Sequence, residues 1–153
     1  MLTDPWNNEP DKKEFKYAGF KCLIVRHPTF KHLCGYVGVP EGHPFYGRDY
    51  DFYDTYFNVH GGITYSGMGN GKDGFTKGLY WIGFNCNHYQ DYSPGLSNFY
   101  EPLERRRRYK TISYVEKEVK KLAEQMSEKH SKEMLVSIAV NKLSDPTNKY
   151  DIM

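Results

Sequence analysis

Apolar positions fall in two rhythms along the chain, an extended one through its middle and a helical one beyond it. Phe20-Lys21-Cys22-Leu23-Ile24-Val25-Arg26 is a β-prone run stopped by His27-Pro28, and Leu33 to Val39 is a second, closed by Pro40. Tyr56 to His60 alternates, with Tyr56, Asn58 and His60 on one face and Phe57 and Val59 on the other, before Gly61-Gly62 interrupts it. Ile63 to Ser66 resumes the extended pattern, and Leu79-Tyr80-Trp81-Ile82-Gly83-Phe84 is the most apolar strand of all. No crossover helix fits between these runs, so about four to five strands in a mostly antiparallel sheet are predicted. Ile112, Val115, Val119, Leu122 and Met126 then recur at three- and four-residue spacing, which predicts an amphipathic helix covering one face of the sheet. Ser113 with Glu116 has the capping-box form, and Thr111 is a competing cap. The fold class expected is a small α+β domain.

The boundaries follow from where those rhythms stop. Residues 1–19 are polar, with Pro5, Pro10 and the one anchor Trp6, and read as an irregular arm that docks by its ring; residues 20–129 form the domain. From His130 to Met153 the pattern suits a helix, although Leu135 to Val140 would also suit a strand. Pro40 to Thr55 is a loop too long to be a plain connector, and Gly67 to Gly74 reads as a flexible hairpin tip, since it lacks both the phosphate-loop spacing and a following helix.

Composition changes this picture in three respects. Hydrophobic content is 39%, yet aromatic residues make up 16%, so the core is built largely of rings with polar edges. With 21 Lys and Arg against 19 Asp and Glu, the net charge of +2 argues against duplex nucleic acid as a partner. The odd count of 3 cysteines suits neither a disulfide framework nor a zinc knuckle. With no signal-like segment and no apolar run of membrane-spanning length, a cytoplasmic protein with no membrane partner is expected. Completion of the aromatic core by a homo-oligomer stays open.

Two clusters carry candidate chemistry. His60 beside Gly61-Gly62, followed by Ile63-Thr64-Tyr65-Ser66, has the make-up of a polar ligand floor, with glycines that permit close backbone approach. Asn85-Cys86-Asn87-His88-Tyr89-Gln90-Asp91 gathers polar groups where the apolar strand ends, and His88 and Asp91 are spaced to meet on a turn. His43, His60, His88 and Asp91 are ligand types suited to zinc or iron, but their spacing matches no metal motif, and no cofactor is predicted. Cys86 beside His88 admits a thiol nucleophile. Arg105 to Arg108 would neutralise phosphates if folded towards a ligand, and otherwise form a solvated face.

Cys34-Gly35-Tyr36-Val37-Gly38-Val39-Pro40 with Gly42-His43-Pro44 and Tyr46-Gly47, then Val59-His60-Gly61-Gly62-Ile63-Thr64-Tyr65-Ser66-Gly67, then Tyr80-Trp81-Ile82-Gly83-Phe84-Asn85 with His88 and Asp91, resemble an uncharacterised family of small bacteriophage and prophage proteins. The chain has Asn85 where that family's phrase carries Asp. The resemblance implies an accessory protein in the cytoplasm of an infected or lysogenic bacterial cell. On this reading the expected function is binding of a small polar, nucleotide-like ligand, with sequestration of a host immune signal as the use. Tyr46, His60, Gly61, Gly62, Thr64, Tyr65, Trp81, Asn85, His88 and Arg105 are the candidate ligand contacts. Two alternatives stand beside it: a hydrolase acting on a nucleotide or amide bond through His60, His88 and Asp91, and a module that docks on a host or virion protein.

Overall fold

The structure, a computed structural model, describes residues 4–48, 57–100 and 107–143, with side chains described to position 128 in the last stretch. An open antiparallel sheet holds β1 (Lys12–Tyr17), β2 (Phe20–Arg26), β3 (Leu33–Val39), β4 (Tyr65–Met68) and β5 (Tyr80–Asn85), in the spatial order β1-β2-β3-β5-β4. A long helix, α1 (Ile112–Leu143), lies across β2 and β3. The α+β fold predicted from the two rhythms is the fold observed, with a sheet of 5 strands.

Alternation along each strand sorts the residues between two faces. Cys22, Ile24, Val37, Ile82 and Phe84 point to the helix and meet Val115, Val119, Leu122 and Met126 in one core. Gly35 is what allows the helix so close, because a Cβ there would stand 2.5 Å from Val119 Cγ2 and 2.7 Å from the Phe84 ring. The opposite face is covered as well. Phe75, from the glycine-rich connection between β4 and β5, sits with its ring centroid 4.9 Å from Tyr36 and 5.6 Å from Trp81, and Leu23 and Trp81 are buried beneath that connection. The segment expected to be a flexible tip is therefore a lid over the second face, held by a Gly69 N–H to Leu79 O bond of 2.9 Å and a Gly71 N–H to Phe75 O bond of 2.8 Å.

Four further expectations are corrected. The arm at residues 1–19 contains strand β1, which pairs with β2 from Lys12↔Val25 to Tyr17↔Phe20 through a turn whose Ala18 and Gly19 have φ of 52° and 86°. Its charges belong to an edge strand, where Lys and Glu face water while Phe15 and Tyr17 reach the core. Trp6 docks as expected, with its ring 4.9 Å from Tyr109 and 5.4 Å from Tyr92.

Residues 57–60 are not a strand, although Phe57 and Val59 are buried as the alternation requires. Side chains of α1 take the place of a neighbouring strand: Gln125 accepts from the Asn58 N–H at 2.8 Å and donates to Asn58 O at 2.7 Å, and Glu118 accepts from the His60 N–H at 2.8 Å. Tyr56 lies outside the described residues. The strand expected at Ile63–Ser66 begins two residues later, since Ile63 turns into the core and Tyr65 is the first residue to pair with β5.

The helix is capped by Thr111, whose hydroxyl accepts from the Tyr114 N–H at 3.3 Å, and the Ile112 N–H is taken by the Glu9 carboxylate at 2.7 Å. Ser113 is thus inside the helix, and Glu116 pairs with Lys13 and Lys120 instead of closing a capping box. Helical backbone continues without a break past residue 130 to Leu143, which sets aside the strand alternative for Leu135–Val140; residues 144–153 lie outside the described residues.

Candidate functional site

At the end of the sheet where β3 begins and β5 finishes, the sequence-predicted His60, His88 and Asp91 come together. Asp91 is fully buried. Its Oδ2 accepts from His60 Nε2 at 2.8 Å and from the His88 N–H at 3.0 Å, and its Oδ1 faces the Lys110 ammonium at 3.1 Å. Burial alone would raise this carboxyl, but the His60, His88 and Lys110 contacts hold it down, to about 2. Asp91 is therefore a carboxylate, and His60 Nε2 carries the proton between them. The other ring nitrogen, Nδ1, meets the Tyr114 hydroxyl at 2.8 Å. Burial pushes the Tyr114 phenol up, with Glu118 adding to it, so this hydroxyl keeps its proton and donates to Nδ1.

Both nitrogens of His60 are thus engaged by the protein, and a substrate proton would reach Nδ1 only by displacing Tyr114. The sequence paired His88 with Asp91 through its ring; the structure uses the His88 backbone N–H instead. The His88 ring lies against Gly61, where a Cβ would stand 2.1 Å from Nε2. The close approach that Gly61 permits is consequently filled by His88 itself. Gly62 has a φ of 83° and donates to Val59 O at 2.9 Å, closing the turn that carries His60 to this point.

The remaining predicted contacts are dispersed. Tyr46 packs against Tyr80, at the opposite end of the sheet on the helix side. Trp81 is buried under the lid, with its Nε1–H donating to Thr76 O at 3.2 Å, so its ring is not open for stacking. Tyr65 stands on the edge strand against Tyr36, and Thr64 and Asn85 meet each other at 3.4 Å. Arg105 lies outside the described residues. The neighbouring Arg107 turns inward, donating to the carbonyls of His88 and Asp91 at 3.2 Å each and lying over the rings of Tyr89 and Tyr100.

His43 packs on Phe20 and Phe45, at the far end of the sheet from His60. Among the described residues no group of three or more His, Cys, Asp and Glu side chains could hold a metal ion. Cys86 is buried and its thiol is pushed far up by that burial, so the thiolate a nucleophile requires is not formed there. Cys22 and Cys34 are likewise buried and free, raised to about 12 and about 11. No helix of the described residues is long and apolar enough to cross a membrane.

A second cluster, which sequence reasoning missed, lies on the lid-covered face. Lys16 and Lys21 are direct cross-strand partners on either side of the Ala18-Gly19 turn. Their side chains share a face and line a concavity of about 440 Å³ with Lys77, Thr76, Gly78 and Leu79. Among the described residues no carboxylate contributes to its lining. Lys21 Nζ reaches only as far as Thr76 Oγ1, at 3.4 Å. The signal was present in Lys16-Tyr17-Ala18-Gly19-Phe20-Lys21, where a two-residue turn places the lysines opposite each other, but it is readable only once β1 is recognised as a strand. A larger concavity of about 600 Å³ near His27 is electrically mixed, with Asp11 and Asp73 among Lys12, Arg26 and Lys31. Compared with family models, with curated proteins and with solved structures, the chain matches none.

Proposed function

We propose that the protein binds a small phosphate-bearing, nucleotide-like ligand in the lysine-lined groove under the lid, without chemical turnover. One observation carries this reading: Lys16 and Lys21 face each other across adjacent strands beside a concavity to whose lining, among the described residues, no carboxylate contributes. Like charges placed directly opposite on one face of a sheet destabilise it, and an anion between them turns that cost into binding energy. The groove's size falls in the range of small-molecule sites. The resemblance to phage proteins supplies a use, which is to hold a host nucleotide signal out of circulation in the bacterial cytoplasm.

The test is calorimetric titration with ATP and with pyrophosphate, on the wild-type chain and on a Lys16→Gln, Lys21→Gln variant. The wild type binds, more weakly as salt rises, and the variant loses at least about tenfold in affinity while keeping its fold. Equal binding by the two proteins, or none by the wild type, would falsify the reading.

The hydrolase alternative has one observation in its favour, the 2.8 Å contact between His60 and a buried, ionised Asp91. For general-base catalysis the Tyr114 hydroxyl has to leave Nδ1 when substrate enters. Turnover that is lost in His60→Gln and gained in Tyr114→Phe would support it.

A further inference from the structure

We infer that Glu14 makes the groove selective for guanine among the nucleobases. The inference rests on the binding reading above and names the second half of the same ligand. A smaller concavity of about 270 Å³ adjoins the lysine groove and shares Lys16, Lys21 and Thr76 with it; its other lining residues include Glu14, Gly74 and Trp81. The two compartments thus adjoin, and the smaller one sets a single carboxylate, Glu14, beside the two lysines that they share.

Glu14 and Lys16 alternate on the same face of β1, roughly 7 Å apart along the strand, a separation comparable with that between phosphate and base in a nucleotide. Among the described residues Glu14 has no ion pair or hydrogen bond within the protein. Gly74, with a φ of 91°, lets the lid come down beside the carboxylate, since a Cβ there would stand 2.9 Å from Glu14 Oε1. An unpartnered carboxylate next to two lysines would ordinarily fold over onto one of them. Here it faces the other compartment.

A carboxylate offers two acceptor oxygens side by side and no donor. Guanine presents two adjacent donors, the ring N–H and the exocyclic amine, which satisfy both oxygens at once. Hypoxanthine lacks the amine, and adenine sets a ring acceptor beside its amine, so one oxygen is left repelled. The phosphates meanwhile remain with the lysines, whichever base is attached.

The experiment compares GDP, IDP, ADP and pyrophosphate by calorimetry on the wild type and on Glu14→Gln. GDP binds about tenfold or more tighter than ADP, with IDP between them. In Glu14→Gln the three nucleotides converge, and pyrophosphate binds at least as well as before because a nearby negative charge is gone. Glu14 is exposed, so the variant keeps its fold, which circular dichroism verifies. Equal affinities for GDP and ADP in the wild type, or an unchanged preference in Glu14→Gln, overturns the inference and leaves the lysine site standing. Failure of all four probes to bind overturns both.

Discussion

The two faces of the sheet treat charge in opposite ways. On the helix side and around its rim, several ionised groups meet counter-charges: Asp91 meets Lys110, Glu116 meets Lys13 and Lys120, Glu118 meets Lys121, and Arg26 meets Glu9 and Asp11. On the lid side, Lys16 and Lys21 oppose each other and Glu14 stands apart. Paired charges fix geometry, as they fix the turn at His60 and the start of α1. Charges left unpaired beside a concavity are what a ligand has to work with. The candidate suggested by the sequence, His60 with Asp91, belongs to the first kind, and the lysine groove to the second.

The largest effect comes from breaking a pair on the first side. Asp91→Ala leaves Lys110 and His60 facing a void and costs about 3–5 kcal/mol of stability, read as a lower urea midpoint at unchanged slope. A loss under 1 kcal/mol would make the network ornamental. A smaller effect comes from acid. His32 is buried beside His27 and Ser93 and is held neutral, lowered to about 4 chiefly by burial. Between about 6.5 and 4 the unfolded chain takes a proton that the folded one refuses, so stability falls as pH drops, by about 3 kcal/mol in total. Asp91 adds a later loss, because its stabilisation is present above about 4 and disappears as pH falls towards 2. His32→Gln should flatten the first step and leave the second, as followed by thermal melts across pH. The smallest effect, and the one that most sharpens the contrast, has the opposite sign. Lys21→Gln relieves the cross-strand repulsion and raises stability by about 0.5 kcal/mol while weakening ligand binding.

Much of the fold was written in periodicity. Strands β2, β3 and β5 and the apolar stripe of α1 could be read because each buries a continuous face, and burial is what patterning records. Strand β1 was obscured by its composition, since an edge strand carries Lys and Glu for the same reason a loop does. Residues 57–60 show the converse failure: their alternation is real, but a helix supplies the partners that a strand was expected to supply. In the candidate site, the meeting of His60 with Asp91 depends on the 107–110 segment returning to pair with Gln90 and Tyr92, a contact no local pattern encodes. Tyr114 and Lys110 were hidden for that reason. The lysine pair was legible in principle and hidden only by the missed hairpin.

The Glu9 carboxylate accepts from the Tyr109 hydroxyl, the Ile112 N–H at 2.7 Å and Arg26 at 3.2 Å, so one side chain ties the arm ahead of β1 to the start of a helix 103 positions downstream. During synthesis on the ribosome Glu9 can meet Arg26 early, but its partner on the helix arrives last, and the apolar face of the sheet that α1 covers must wait exposed. The nascent chain is therefore most exposed to chaperones and to its own neighbours on a polysome in the interval between β5 and α1. Glu9→Ala should lengthen that vulnerable interval, and would be felt as lower yield in the cell even where the purified protein melts at a similar temperature.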